Sequence, residues 1–259
     1  MLTVEPLPEA ARVRVCVRFP HLPALPAIIA RVRRVFDLAA DPVTIGAQLA
    51  QDPLMAPLVQ ARPGLRVPGA WDGFELAVRA ILGQQITVMA ATGLAGRLVQ
   101  AFGTPLPGAA CAATGLTHVF PTPARLATAD IAALGMPAAR AAALRALAVA
   151  VLADPLIFGA RRSLEEAITR LQSLSGIGEW TAQYIAMREL REPDAFPASD
   201  VGLLRAMAAG DGQRLSPAAL LARAERWRPW RAYAALHLWA ADNSATRIEQ
   251  ETENDRRAA

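Results

Sequence analysis

Few side chains in this sequence could do chemistry, and their types and spacing sort them. Asp200 follows Pro197-Ala198-Ser199 and stands at the start of a predicted helix. A carboxylate there caps the helix by accepting from its free N–H groups. By itself, an Asp in that place reads as a cap. Trp180 and Tyr184 stand four apart on one predicted helix, so they share a face. By themselves they read as core or as the lining of a site. Trp239 and His237 lie on an amphipathic terminal helix, where Trp239 reads as core and His237 as a weak candidate base. His21 and His118 are far apart and show no ligand spacing.

Two chemistries are excluded outright. All 27 basic residues are arginine, so no lysine amine can form a Schiff base and only the N-terminal amine remains. Cys16 and Cys111 have no CxxC spacing, and two cysteines cannot make a four-cysteine metal or iron–sulfur site. The net charge of +4 and the pI of about 10.0 suit a nucleic-acid partner without demanding one.

These residues must be positioned by mostly helical elements. The stretch Leu171 to Ala182 reads as the turn of a helical hairpin. Apolar residues at helical spacing precede it (Leu164, Ile168, Leu171, Leu174) and follow it (Ala182, Ile185, Ala186, Leu190). The turn is Gly176-Ile177-Gly178, with glycines for positive backbone angles and close approach. Gly178 and Glu179 then open the second helix, whose free N–H groups make an anion site for a DNA phosphate. Without a ligand, the same pattern is only a glycine turn between packed helices.

The chain is 53 % hydrophobic, rich in alanine and large enough for one big domain or two. Residues 12–19 alternate as one half-buried strand, the only convincing one. Helices are expected at about 27–38, 71–82, 87–102, 138–153 and 230–241, with Asp72 and Ser216 as N-caps. Gly83-Gln84-Gln85-Ile86 interrupts one of them, and 103–123 reads as a long loop. The domains are expected at 1–66 (an N-terminal α/β segment) and 67–242 (a helical domain with the hairpin at about 164–191). A disordered tail is expected at 243–259. No signal peptide is visible, and the most hydrophobic helix is too short and too charged to span a bilayer.

Taken together, Gly176-Ile177-Gly178-Glu179-Trp180-Thr181-Ala182-Gln183-Tyr184 and Pro197-Ala198-Ser199-Asp200 resemble the signature of the helix-hairpin-helix (HhH-GPD) base-excision DNA glycosylases. Residues 74–84, 224–231 and 236–239 place the likeness nearest to the DNA-3-methyladenine glycosylase II family. It covers about residues 12–241. The resemblance implies a mainly α, bilobal helical fold with a small, shortened N-terminal α/β segment. It implies a monofunctional hydrolase that excises alkylated purines from double-stranded DNA. Asp200 matches the family's catalytic carboxylate, and Trp180, Tyr184 and Trp239 match aromatic residues that line the base pocket. Gly176, Ile177, Gly178 and Thr181 match the DNA-gripping hairpin, and Gln85 matches the wedge that fills the gap left by the flipped base. No cofactor is implied. The carbonyls of Gln172, Ser175 and Ile177 match those that can hold a monovalent cation, Na+ or K+. A monomer without membrane contact, in a bacterial cytoplasm at the nucleoid, is also implied.

The sequence departs from the family in three places. The family's wedge is usually apolar, whereas Gln85 is polar. Residues 209–214 look like an insertion. Strands that the family carries before residue 12 look absent, as in a trimmed or naturally short form. In strand-cutting relatives a lysine stands where this chain has Trp180, which implies no lyase activity here. The competing reading is a non-enzymatic DNA-binding module. An open aromatic cleft suits several lesions: 3-methyladenine, 7-methylguanine, hypoxanthine or ethenoadenine.

Overall fold

Capping and apolar periodicity build most of this structure, a computed structural model that describes residues 2–7, 9, 12–18, 21–108, 115–159, 163–208 and 215–242. Strands β1 (Leu2–Leu7) and β2 (Arg12–Val17) pair antiparallel, in a register running from Leu2↔Val17 to Leu7↔Arg12. The expected lone strand therefore has a partner, and the expectation that nothing precedes it is corrected. Pro6 hides β1 in the sequence because it breaks the alternation. Proline lacks a ladder donor and is tolerated on an edge.

Helices α1 (Leu25–Val35), α2 (Pro42–Leu49) and α3 (Met55–Ala61) follow, then α4 (Gly73–Leu82) and α5 (Val88–Phe102). Within the stretch read as a loop, β3 (Thr104–Pro105) pairs with β4 (His118–Val119). Next come α6 (Pro123–Ala127) and α7 (Ala138–Ala153). The hairpin is α8 (Leu164–Gln172) and α9 (Glu179–Ile185), and α9 runs on as a π-turn over Ala186–Leu190. Helices α10 (Val201–Ala206), α11 (Pro217–Ala224) and α12 (231–242) end the described chain. The expected tail at 243–259 and the expected insertion at 209–214 lie outside the described residues. No described helix is long and apolar enough to cross a membrane.

Two apolar cores make the fold bilobal. One joins α4, α5, α7 and the hairpin around Ile81, Leu98, Leu144, Leu171 and Ile185. The other joins Ile45, Leu49 and Met55 to Phe196, Leu220, Trp227 and Leu238, so α2 and α3 pack with the C-terminal helices. The hairpin's second helix belongs to both. Ala182 and Ile185 sit in the first core, while Ala186 and Met187 sit in the second. The changeover coincides with the π-turn, a local widening frequent at functional sites.

Candidate active site

The site is built where the two cores meet, from the hairpin helix on one side and α10 and α12 on the other. Asp200 has an extended backbone (φ −66°, ψ 127°) and caps α10 by accepting from the Leu203 N–H at 3.0 Å. Two further donors reach it from two directions, and these three bonds leave one lone pair of Oδ2 untaken. The Trp239 indole N–H donates to Oδ1 at 2.8 Å, and the Trp180 indole N–H donates to Oδ2 at 2.8 Å. The half-buried carboxylate is therefore clamped through both oxygens by residues 20 and 39 positions away. Charge-assisted bonds of this kind are the stronger class of hydrogen bond and fix orientation.

The aromatic face read from the sequence is present. Trp180 and Tyr184 stack with ring centroids 5.3 Å apart and planes within 9°. One turn further on, the Arg188 guanidinium lies 5.5 Å from the Tyr184 ring centre and donates to its hydroxyl at 3.3 Å. A second bond from Arg188, to the Pro68 carbonyl, ties this column to the segment before α4.

Sequence reasoning missed the residues that hold this arrangement. Gly202 stands tight against the site, because a Cβ there would lie 3.0 Å from Asp200 Oδ1 and 3.2 Å from Trp239 Cδ1, so that one of them would have to give by a few tenths of an ångström. Gln183 accepts the Phe196 N–H at 3.0 Å, and Arg231 donates to Asp194 Oδ1 at 2.8 Å. Those two bonds fix the linker that delivers Asp200. Gly202 alone carried a faint local signal, as a glycine two residues after the cap.

The hairpin turn lies beside a second turn, 83–87. The Gln84 amide donates to the Gly176 carbonyl and to Thr181 Oγ1, both at 2.9 Å, and Arg140 donates to the Gln84 carbonyl at 2.6 Å. Gly176 and Gly178 are exposed, whereas the Ile177 and Thr181 side chains are buried. Any contact from Ile177 or Thr181 to a phosphate would thus come from the backbone. Only Gly176 needs the left-handed region, at φ 83°, and a Cβ there would meet the Ala143 Cβ at 2.2 Å. Gly178 has φ −83°. The bonds shaping the turn use the carbonyls of Leu171, Leu174 and Gly176. Those of Gln172, Ser175 and Ile177 are not among them.

Gln85 is exposed and itself adopts a left-handed backbone, at φ 57°. His237 is not brought to the site. It is buried among the helices of the second core, bonded to the Leu58 backbone, and burial pushes its pKa down. Among the described residues, no three His, Cys, Asp or Glu side chains cluster as metal ligands.

Against known proteins, the model of the HhH-GPD superfamily of base excision DNA repair proteins matches residues 78–232. The model of the AlkA N-terminal domain matches residues 1–72. "DNA-3-methyladenine glycosylase 2" of Escherichia coli is 41 % identical over 223 residues, covering 84 % of this chain and 72 % of that protein. A Mycobacterium tuberculosis protein named "Probable bifunctional transcriptional activator/DNA repair enzyme AlkA" is 44 % identical over 210 residues. That match covers 81 % of this chain but only 42 % of the relative's length. Among solved structures, the 3-methyladenine DNA glycosylase of Archaeoglobus fulgidus shares the fold with a TM-score of 0.78. Its identity is 23 %, and the match covers 93 % of this chain and 82 % of that one.

Proposed function

The chain belongs to the HhH-GPD superfamily of base excision DNA repair proteins, and from that premise we propose that it is a DNA-3-methyladenine-type glycosylase. It flips alkylated purines out of double-stranded DNA and hydrolyses their N-glycosidic bond, leaving an abasic site. The single observation that carries this reading is Asp200, clamped through both oxygens by the indole N–H groups of Trp180 and Trp239. A helix needs its cap, but it does not need two tryptophans donating to that cap from separate elements.

The chemistry follows from this geometry. A base inside a duplex is out of reach until it is rotated into a pocket. A purine nucleotide alkylated on a ring nitrogen, as in 3-methyladenine, is a cation and already carries a good leaving group. Aromatic faces attract such a cation by roughly 0.5–2 kcal/mol per contact; Trp180 and Trp239 supply them, with Tyr184 stacked behind Trp180 in the column it shares with Arg188. As the C1′–N bond breaks, its electron pair leaves with the base, which becomes neutral. The sugar takes on oxocarbenium character, and the fixed Asp200 carboxylate stabilises that charge. Water then bonds to C1′, and its proton passes to Asp200 and on to solvent.

With tryptophan at position 180 and no lysine in the chain, no side-chain amine can attack C1′, so the enzyme is monofunctional. The first-turn N–H groups of α9 and the backbone at Gly176, Ile177 and Gly178 grip the phosphate backbone. The carbonyls of Gln172, Ser175 and Ile177, which are not among those bonding within the turn, would hold a monovalent cation, Na+ or K+, and its positive charge would favour a phosphate nearby. Catalysis needs no further cofactor, and the protein acts as a cytoplasmic monomer.

The test is release of 3-methyladenine from methylated duplex DNA by the wild type and by Asp200→Asn. The wild type releases base. The variant does not, yet it still binds duplex carrying an abasic analogue. If the wild type binds such DNA and releases no base, the chain is a binding module and this reading fails.

A further inference from the structure

Just past the turn held against the hairpin, α5 begins with two apolar side chains, Val88 and Met89, turned outward. Val88 is 85 % exposed and Met89 83 % exposed. The opposite face of the same helix is core, through Leu94 and Leu98. No charged residue occurs between Arg79 and Arg97. The tip is also rigid. Gln84 is bonded to Gly176 and Thr181, Ile86 packs against the first core, and Thr87 caps α5 by accepting the Ala90 N–H at 3.2 Å. The exposed residues here are Gln85, Thr87, Val88, Met89 and Ala90, of which Val88 and Met89 are the large apolar ones, and Gln85 has a left-handed backbone.

We propose that Val88 and Met89 form a second, apolar wedge, entering the DNA base stack beside Gln85 at the flipped nucleotide. The proposal rests on the reading of the chain as a DNA glycosylase. The occupant follows from the position of the tip. Four and five residues before Val88 and Met89, Gln84 ties the chain to the hairpin turn, the element that the proposed function sets against the phosphate backbone. What lies next to a gripped backbone and welcomes a rigid, uncharged, apolar tip is the stack of base faces. Proteins that kink DNA insert such side chains between base steps. The division of labour also explains the polar residue at 85. Gln85 can hydrogen-bond the orphaned partner base, while Val88 and Met89 supply the apolar area that glutamine lacks.

The test uses the full chain with Val88→Ser/Met89→Ser, and with Met89→Leu as a conservative control. A duplex carries 2-aminopurine next to an abasic analogue, so no catalysis is required. Wild type raises the 2-aminopurine fluorescence on binding, because the neighbouring bases unstack. The double variant loses most of that rise and binds about ten-fold or more weakly, the scale of two exposed apolar side chains. It melts like the wild type, because both side chains are exposed. Met89→Leu keeps the rise. A double variant with wild-type fluorescence and affinity overturns the proposal. So does a shift of the wild type, but not the variant, to a dimer in sedimentation, which would make the tip a self-association surface. Base release by the wild type is measured separately and judges only the glycosylase reading.

Discussion

Gly202→Ala separates catalytic positioning from folding. The new Cβ would stand 3.0 Å from Asp200 Oδ1, 3.2 Å from Trp239 Cδ1 and 3.4 Å from Trp239 Nε1. Carbon contacts relax to about 3.5 Å or more, so something must retreat by roughly 0.3–0.5 Å. Both neighbours are held, Asp200 by Leu203, Trp180 and Trp239 at 3.0, 2.8 and 2.8 Å, and Trp239 by its packing against the second core. Whichever gives way, the bond between the Trp239 indole and Asp200 Oδ1 is stretched to about 3.2 Å, beyond the short range of charge-assisted bonds. Such a bond is worth about 1.5–3 kcal/mol. Losing a third to a half of it costs about 1 kcal/mol, or roughly five- to ten-fold in kcat. Stability should change little. Alanine is the better helix former by up to about 1 kcal/mol, which offsets much of the overpacking. The assay is single-turnover release of 3-methyladenine, beside thermal melting and binding to an abasic-analogue duplex. The expected result is a kcat loss of about five- to ten-fold, with DNA affinity and melting close to wild type. A variant that folds and turns over at the wild-type rate would refute the clamp as the element that positions Asp200.

The two hairpin glycines should part company when substituted. Gly176→Ala meets the Ala143 side chain at 2.2 Å and keeps φ at 83°, so it should lower stability by about 2 kcal/mol or more in denaturant melts. Adding Ala143→Gly should restore part of that loss. Gly178→Ala has open space and φ −83°, and should stay within about 1 kcal/mol of wild type. His237 gives the fold a pH dependence. Burial, reinforced by the nearby Arg62 charge, outweighs the bond to Leu58 and lowers its pKa, so the folded state prefers the neutral ring. That contribution is complete above the unfolded pKa of about 6.5 and is lost as pH falls from there towards the folded value. Stability measured between pH 7 and 5 should therefore decline in the wild type and decline less in His237→Gln; equal slopes would show that His237 is not the titrating group.

Much of the site's raw material was legible in the sequence because it is local. Asp72, Asp200 and Ser216 announce helix starts, since a capping side chain reaches an N–H only three residues on. Trp180 and Tyr184 stack because a helix returns to the same face every fourth residue. The absence of lysine, which bars a lysine Schiff base, needs no structure at all. What the tertiary structure alone decided lies across long separations. Trp239 reaches Asp200 over 39 residues, and Gln84 reaches Gly176 over 92. The pairing of β1 with β2 was hidden by Pro6, and the need for glycine at 176 and 202 comes from Ala143 and Trp239 standing against them. No local pattern encodes such contacts. They exist only once two separate apolar cores have closed around one shared helix and brought the Asp200 carboxylate between two indoles.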